Sequence, residues 1–136
     1  MYETFDHTAD LGLRVRAANL DALFAEAGRG FLSILVENPS DVRPQRDIKL
    51  QIEGTDKDYL FFDWLNELLY RFEIDHLLLA EFDVTLDERG LRAIARGEPV
   101  DPDRHHLAHE IKAITYHQLE VKQVPDGWQA VVIVDI

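Results

Sequence analysis

Four segments of the chain carry residues able to do chemistry. Asp6-His7-Thr8-Ala9-Asp10-Leu11-Gly12 sets two carboxylates and an imidazole in a short polar stretch between apolar ones. Oxygen and imidazole donors suit a metal ion, but Asp and Thr also hydrogen-bond their own backbone in turns, with Gly12 relaxing the path. At the other end, Val131 to Val134 is apolar and runs directly into Asp135-Ile136. The Asp135 carboxylate and that of Ile136 are thus anchored by a buried element, and hard cations such as calcium or magnesium prefer clustered oxygen ligands. No lysine or arginine lies within three residues of Asp10 or Asp135 to neutralise them. The third segment is Glu110-Ile111-Lys112-Ala113-Ile114-Thr115-Tyr116-His117. As a strand it puts Glu110, Lys112, Ile114 and Tyr116 on one face. Glu110 and Lys112 then form a surface ion pair contributing about 0 to 1 kcal/mol, or Lys112 offers its ammonium to a partner's carboxylate or phosphate. The fourth segment is Arg104-His105-His106-Leu107-Ala108-His109-Glu110. On a helix, His105 and His109 share a face at the i, i+4 spacing that binds zinc or nickel; in a loop bearing Pro99 and Pro102 they are solvated instead.

The elements that must position these residues follow from periodicity. Tyr2 to Phe5 and Gly12 to Ala17 read as strands flanking the polar stretch as a loop. From Asn19, the apolar positions Leu20, Leu23, Phe24, Ala27, Phe31, Ile34 and Leu35 fall on one helical stripe. Asn19 caps that helix, Asn38-Pro39 ends it, and Gly28 and Gly30 weaken it. Ile48, Leu50 and Ile52 alternate as a half-buried strand. A second helix starts at a capping pair, Thr55 with Asp58, and its stripe of Leu60, Phe61, Trp64, Leu65, Leu68, Leu69 and Phe72 is core. Leu77 to Leu86 and Leu91 to Arg96 form a hairpin around Asp87-Glu88-Arg89-Gly90, and Gly97 to His109 is a surface loop. Glu110 to Val124 and Trp128 to Val134 are strands joined by Pro125-Asp126-Gly127. Helices do not alternate with strands throughout, which favours an α+β fold with the helices packed on mostly antiparallel sheet.

Composition bounds the function. The 136 residues and 46% hydrophobic content suit one domain with a core of its own. No cysteine is present, which removes disulfides, thiolate metal sites and thiol nucleophiles. With 26 acidic against 14 basic residues the net charge is -12, a field that repels phosphates, so strong direct binding to nucleic acid is disfavoured and a basic protein surface is the better match. No apolar run spans a bilayer and the first residues do not resemble a secretory signal, so a cytoplasmic protein with no membrane partner is expected. Phosphate-cradling glycine loops, nucleophile elbows and zinc-protease helices are missing, which argues against a stand-alone enzyme.

Three of the four segments, Asp6 to Gly12, Glu110 to His117 and the closing Asp135-Ile136, together resemble the archease family. The resemblance covers essentially the whole chain, and its strength lies in having all three in order at these distances from the two ends. It implies one α+β domain over residues 1–136 and a non-enzymatic role: activation of the GTP- and metal-dependent tRNA-splicing RNA ligase, whose own histidine is guanylylated, by promoting that step and sustaining turnover. By motif match it places a divalent-metal site on Asp10, Asp135 and Ile136 and a functional lysine on Lys112, with Glu110 and His7 beside it in activating the partner. Oxygen ligation makes calcium the first expectation, with magnesium or manganese next. Leu11 and Ile114 depart from the pattern with other apolar residues. The histidine run lies outside it, and His105 with His109 stays an alternative metal set. Two other readings compete: a metal-dependent phosphohydrolase using that run with Asp10 and Asp135, and a general chaperone or partner of an RNA-modifying methyltransferase.

Overall fold

The structure, a computed structural model, describes residues 1–7 and 10–136. Thr8 and Ala9, within the first polar motif, lie outside the described residues. The chain runs β1 (Tyr2–His7), β2 (Asp10–Ala17), α1 (Leu20–Leu35), a 3-10 turn at Pro39–Asp41, β3 (Arg46–Glu53), α2 (Lys57–Asp75), β4 (Leu77–Asp87), β5 (Gly90–Pro99), β6 (Ala113–Ile114), β7 (Glu120–Val124) and β8 (Gly127–Asp135). The α+β class holds, with two helices packed on antiparallel sheet. There are two sheets. One has the order β1-β2-β8-β6, with β7 also on β8, and the other β3-β5-β4.

The glycines of α1 explain how one helix serves both sheets. Gly28 and Gly30 are two residues apart, roughly 200° around a helix, so they face opposite ways. A Cβ on Gly28 would stand 2.7 Å from the Phe82 ring of β4, and one on Gly30 would stand 2.7 Å from Leu13 of β2. The glycines cost some helix propensity, which close packing on both sides offsets. Asn19 caps α1, its side chain accepting from Ala22 N at 2.9 Å. In the core, Trp64 of α2 donates its indole N–H to Phe24 O of α1 at 2.9 Å and meets the Phe82 ring edge-on at 5.9 Å. That single side chain ties both helices to β4.

Three local expectations change. The cap of α2 is Asp56, which accepts from Tyr59 N at 3.1 Å, and not Thr55. Asp58 instead accepts from Val121 N at 2.8 Å, fastening β7 to the helix. The stretch read as the loop Asp6 to Asp10 is in part strand: Asp6 pairs with Leu11 and His7 with Asp10. The long strand expected over Glu110 to Val124 is broken. Ala113 and Ile114 pair with Asp135 and Val134, and pairing resumes only at Glu120 with Val131. Residues 115–119 leave the ladder between these pairings, with Gln118 in the left-handed region at φ 59° and Thr115 held by its N–H and hydroxyl on Ile133 O.

The segment from Val100 to Lys112 lies as a strap over the end of α1. The last carbonyls of a helix lack partners within it. Here Leu35 O accepts from Ala108 N at 2.8 Å and Ile34 O from His109 N at 3.1 Å, and Lys112 N donates to Asp135 O at 2.7 Å.

Candidate metal and partner site

One row of residues crosses the end of the first sheet. In register, His7 of β1 is opposite Asp10 of β2, Asp10 is opposite Asp135 of β8, and Asp135 is opposite Ala113 of β6. Residues directly opposite in antiparallel strands project to the same face, with Cβ atoms roughly 4.5 to 5.5 Å apart. The two residues are therefore neighbours although they lie near opposite ends of the sequence. Among the described residues neither makes an ion pair with a lysine or arginine side chain. The imidazole of His7 approaches Asp10, Nδ1 to Oδ2 at 3.9 Å, too long for a hydrogen bond.

His7 Nδ1 is itself informative: it is buried from solvent and finds no hydrogen-bond partner among the described residues. A buried polar nitrogen without a partner is costly, and one near the Asp10 carboxylate suits a site that receives something. The His7 ring also packs against His117, centroids 5.6 Å apart. His117 was not singled out by sequence reasoning. It reaches this position because the chain leaves the sheet after β6, and a strand pattern gives no sign of that break. Among the described residues no three histidine, aspartate or glutamate side chains already gather as a finished metal cluster. The donor set on hand is two facing carboxylates, with the partly buried Ile136 at the edge of the site. Oxygen donors at this spacing fit a hard divalent cation.

Lys112 stands next to this row, held by its own backbone bond to Asp135, and its side chain is exposed. The expected strand face uniting Glu110 with Lys112 is not formed, because neither residue is in a strand. Among the described residues no ion pair joins them. Ile111 and Ile114 are buried, while Glu110, Lys112 and Ala113 face solvent.

The histidine run has a different setting. His105 is not on a helix, is 3% exposed, and uses both ring nitrogens. Nδ1 accepts from Asp101 N at 2.8 Å, so the proton assigned by the network sits on Nε2, which lies 3.1 Å from Glu98 Oε2. His109 is exposed and spends its amide on α1, so the structure does not bring the pair together as ligands. Glu98, 3% exposed, also accepts from Arg43 N at 2.6 Å and from the Arg104 guanidinium. Burial pushes its carboxyl up, but the bonds from Arg104, the Arg43 amide and His105 outweigh this and hold it at about 2. These groups pin the strap to β5. The signal for the network in the sequence was weak, because Glu98 falls where a surface loop was expected from Gly97 onward and follows the same alternation as Arg92 and Arg96 along β5.

Comparison with known proteins identifies the family and the fold. Residues 2–136 match the family described as "Archease protein family (MTH1598/TM1083)". The chain is similar to the protein archease of Methanopyrus kandleri, 37% identical over 139 aligned positions covering 99% of each chain. It is also similar to that of Pyrococcus furiosus, 34% identical and covering 99% of this chain and 98% of the relative. Among solved structures, the solution structure of Methanobacterium thermoautotrophicum protein 1598 superposes with a TM-score of 0.83 at 28% identity, covering 99% of this chain and 98% of that one. A Thermotoga maritima crystal structure described as an archease and possible chaperone shares the fold, with a TM-score of 0.65 at 17% identity over 100% of this chain and 98% of its own. The three motifs, the two-sheet fold and the full-length match agree, and the chain belongs to the archease family.

Proposed function

We propose that this protein is a non-enzymatic accessory factor that activates the GTP- and metal-dependent tRNA-splicing RNA ligase, promoting guanylylation of the ligase and its repeated turnover. The observation that carries the reading is the register pair of Asp10 and Asp135 with Lys112 bonded beside it, an acidic and a basic group set side by side on one sheet end. In this reading Asp10, Asp135 and Ile136 hold a divalent cation, calcium first and magnesium or manganese next. When bound, such an ion supplies positive charge where phosphates are being transferred. The protein's own residues do the positioning. Asp10 and Asp135 are fixed by strand pairing on both sides, the strap holds Lys112 at their edge, and the Lys112 ammonium is free to meet a carboxylate or phosphate of the partner. A net charge of -12 supports action on RNA through a protein and not by gripping RNA directly.

The test is ligation of tRNA halves by the ligase with and without substoichiometric amounts of this protein, alongside single-turnover guanylylation. Faster guanylylation and multiple turnover are expected. RNA-end joining by this chain alone, or suppression of aggregation in unrelated clients without any effect on the ligase, defeats the reading. Lys112→Ala is expected to keep its fold, since an exposed lysine contributes little stability, and to lower activation by about tenfold or more. Full activation by the folded variant would remove Lys112 from the scheme.

A further inference from the structure

The break between β6 and β7 puts Tyr116 on the surface in company. Its ring lies 5.1 Å from that of Tyr59 at an interplanar angle of 31°, and 5.5 Å from Phe62 at 69°. Tyr59 and Tyr116 are 59% and 43% exposed, so this contact is no part of the core. Phe62, one helical turn along α2 from Tyr59, is half-buried and forms the floor. The next residue after Tyr116 is His117, which packs on His7 beside Asp10. The aromatic ledge and the carboxylate row are therefore joined through two consecutive residues of one segment.

The charge around the ledge is negative and fixed. Asp56 is held as the cap of α2 and Asp58 by the Val121 amide. Both, with Tyr59, act on the Tyr116 phenol, whose pKa burial and then these neighbours push up. The sole lysine or arginine from residue 55 to residue 70 is Lys57. Its ammonium sits over the Trp128 ring, 5.7 Å from the centroid, and Trp128 is no part of the ledge. Two exposed tyrosines in tilted contact, with the anchored carboxylates of Asp56 and Asp58 near them and the Lys57 ammonium drawn over Trp128, suit a planar cation. A guanidinium can lie flat on an aromatic face and still hydrogen-bond a carboxylate at its edge.

We infer that Tyr59, Phe62 and Tyr116 form the docking surface for a basic protein surface, which seats an arginine on the tyrosine pair while the carboxylate row meets the same partner. The assignment rests on the proposed ligase role for the partner's identity but not for its chemistry. Tyrosine and arginine are the residues that most often anchor interfaces, and the area of contact between them is desolvated on docking.

Two measurements test it. In the first, the isolated protein is titrated with a short arginine-rich peptide and with its lysine-rich counterpart, followed by NMR of the tyrosine ring protons. The arginine peptide is expected to shift Tyr59 and Tyr116 and to bind several-fold more tightly than the lysine peptide, since guanidinium stacks where ammonium does not. In the second, ligase affinity is compared for wild type, a Tyr59→Ala/Tyr116→Ala double variant and a Tyr59→Phe/Tyr116→Phe double variant. The alanine variant should bind about tenfold or more weakly and the phenylalanine variant within about threefold of wild type, because the ring faces remain. A metal-induced rise in melting temperature, read on each variant, should be unchanged. If wild type shows no ligase affinity but the peptide stacks on the tyrosines, the ligase role fails and the ledge stands. Arginine and lysine peptides binding alike, unchanged ligase affinity in the alanine variant, or a wild-type dimer that the alanine variant abolishes would each overturn the inference.

Discussion

Asp10 and Asp135 carry the sharpest expectation at the level of single residues. In the absence of a cation their facing carboxylates repel, so a bound divalent ion should stabilise the fold in proportion to its affinity. At about 100 times its dissociation constant, calcium should add about 2.7 kcal/mol and raise the melting temperature of a chain this size by about 10 °C. Asp10→Ala and Asp135→Ala should each abolish that shift. A shift surviving both would move the cation elsewhere. These two residues were legible in the sequence because each ends or begins an apolar strand with no basic neighbour. Their juxtaposition was legible only through the family resemblance, since nothing local to either one states its partner so far along the chain. His117 stood in the third segment without a role of its own, and His105, read as an alternative ligand or else a solvated loop residue, is a buried hydrogen-bonding residue. Both outcomes have one cause. A histidine's role depends on the groups its ring nitrogens meet, and those come from distant parts of the chain.

The elements show where periodicity suffices and where it fails. The helices, the β4–β5 hairpin and the strand β8 follow from apolar spacing and turn residues, and the structure places them within a few residues of expectation. The break at 115–119 does not, because Glu110 to Val124 alternates well enough to be one strand, while β8 accepts two short partners along one edge in its place. The glycines of α1 were read as weakness and are close-contact positions. Gly28→Ala should therefore destabilise by about 1 to 3 kcal/mol in chemical denaturation, against the gain that helix propensity alone would give. A stabilised variant would mean that the Phe82 ring moves aside freely. The strap has its own signature in acid. Glu98 is held at about 2, below its ordinary value of 4.5, so its contribution is complete above about pH 4.5 and is lost as pH falls towards 2. Glu98→Gln, which removes the buried carboxylate that Arg104, His105 and the Arg43 amide share, should cost about 2 to 4 kcal/mol at neutral pH. The difference between wild type and variant in melting experiments should shrink across that acid window. A difference that is constant with pH would show that the carboxylate's charge is not what holds the strap.

For the whole molecule, the excess of acidic residues is a statement about association. A net charge of -12 is far from that of a nucleic-acid binder and complements a basic partner. Affinity for the ligase should fall as sodium chloride rises from 50 to 200 mM, chiefly through a slower association rate, because screening shortens the reach of the field. Salt-independent association would assign the recognition to apolar contacts alone.

The pairing of β2 with β8 also orders events in time. A nascent chain emerges from its first residue onward, and β3, β4, β5 and both helices are available before β8 exists. The local β4–β5 hairpin and its sheet have all their strands well before the last segment is made, whereas β2 has only β1 to pair with until then. Asp10 spends that interval without Asp135 opposite it. The carboxylate pair proposed to hold a cation thus forms only once β8 has been made, and a chain that has not yet paired β8 with β2 presents neither that pair nor the edge on which Lys112 is held.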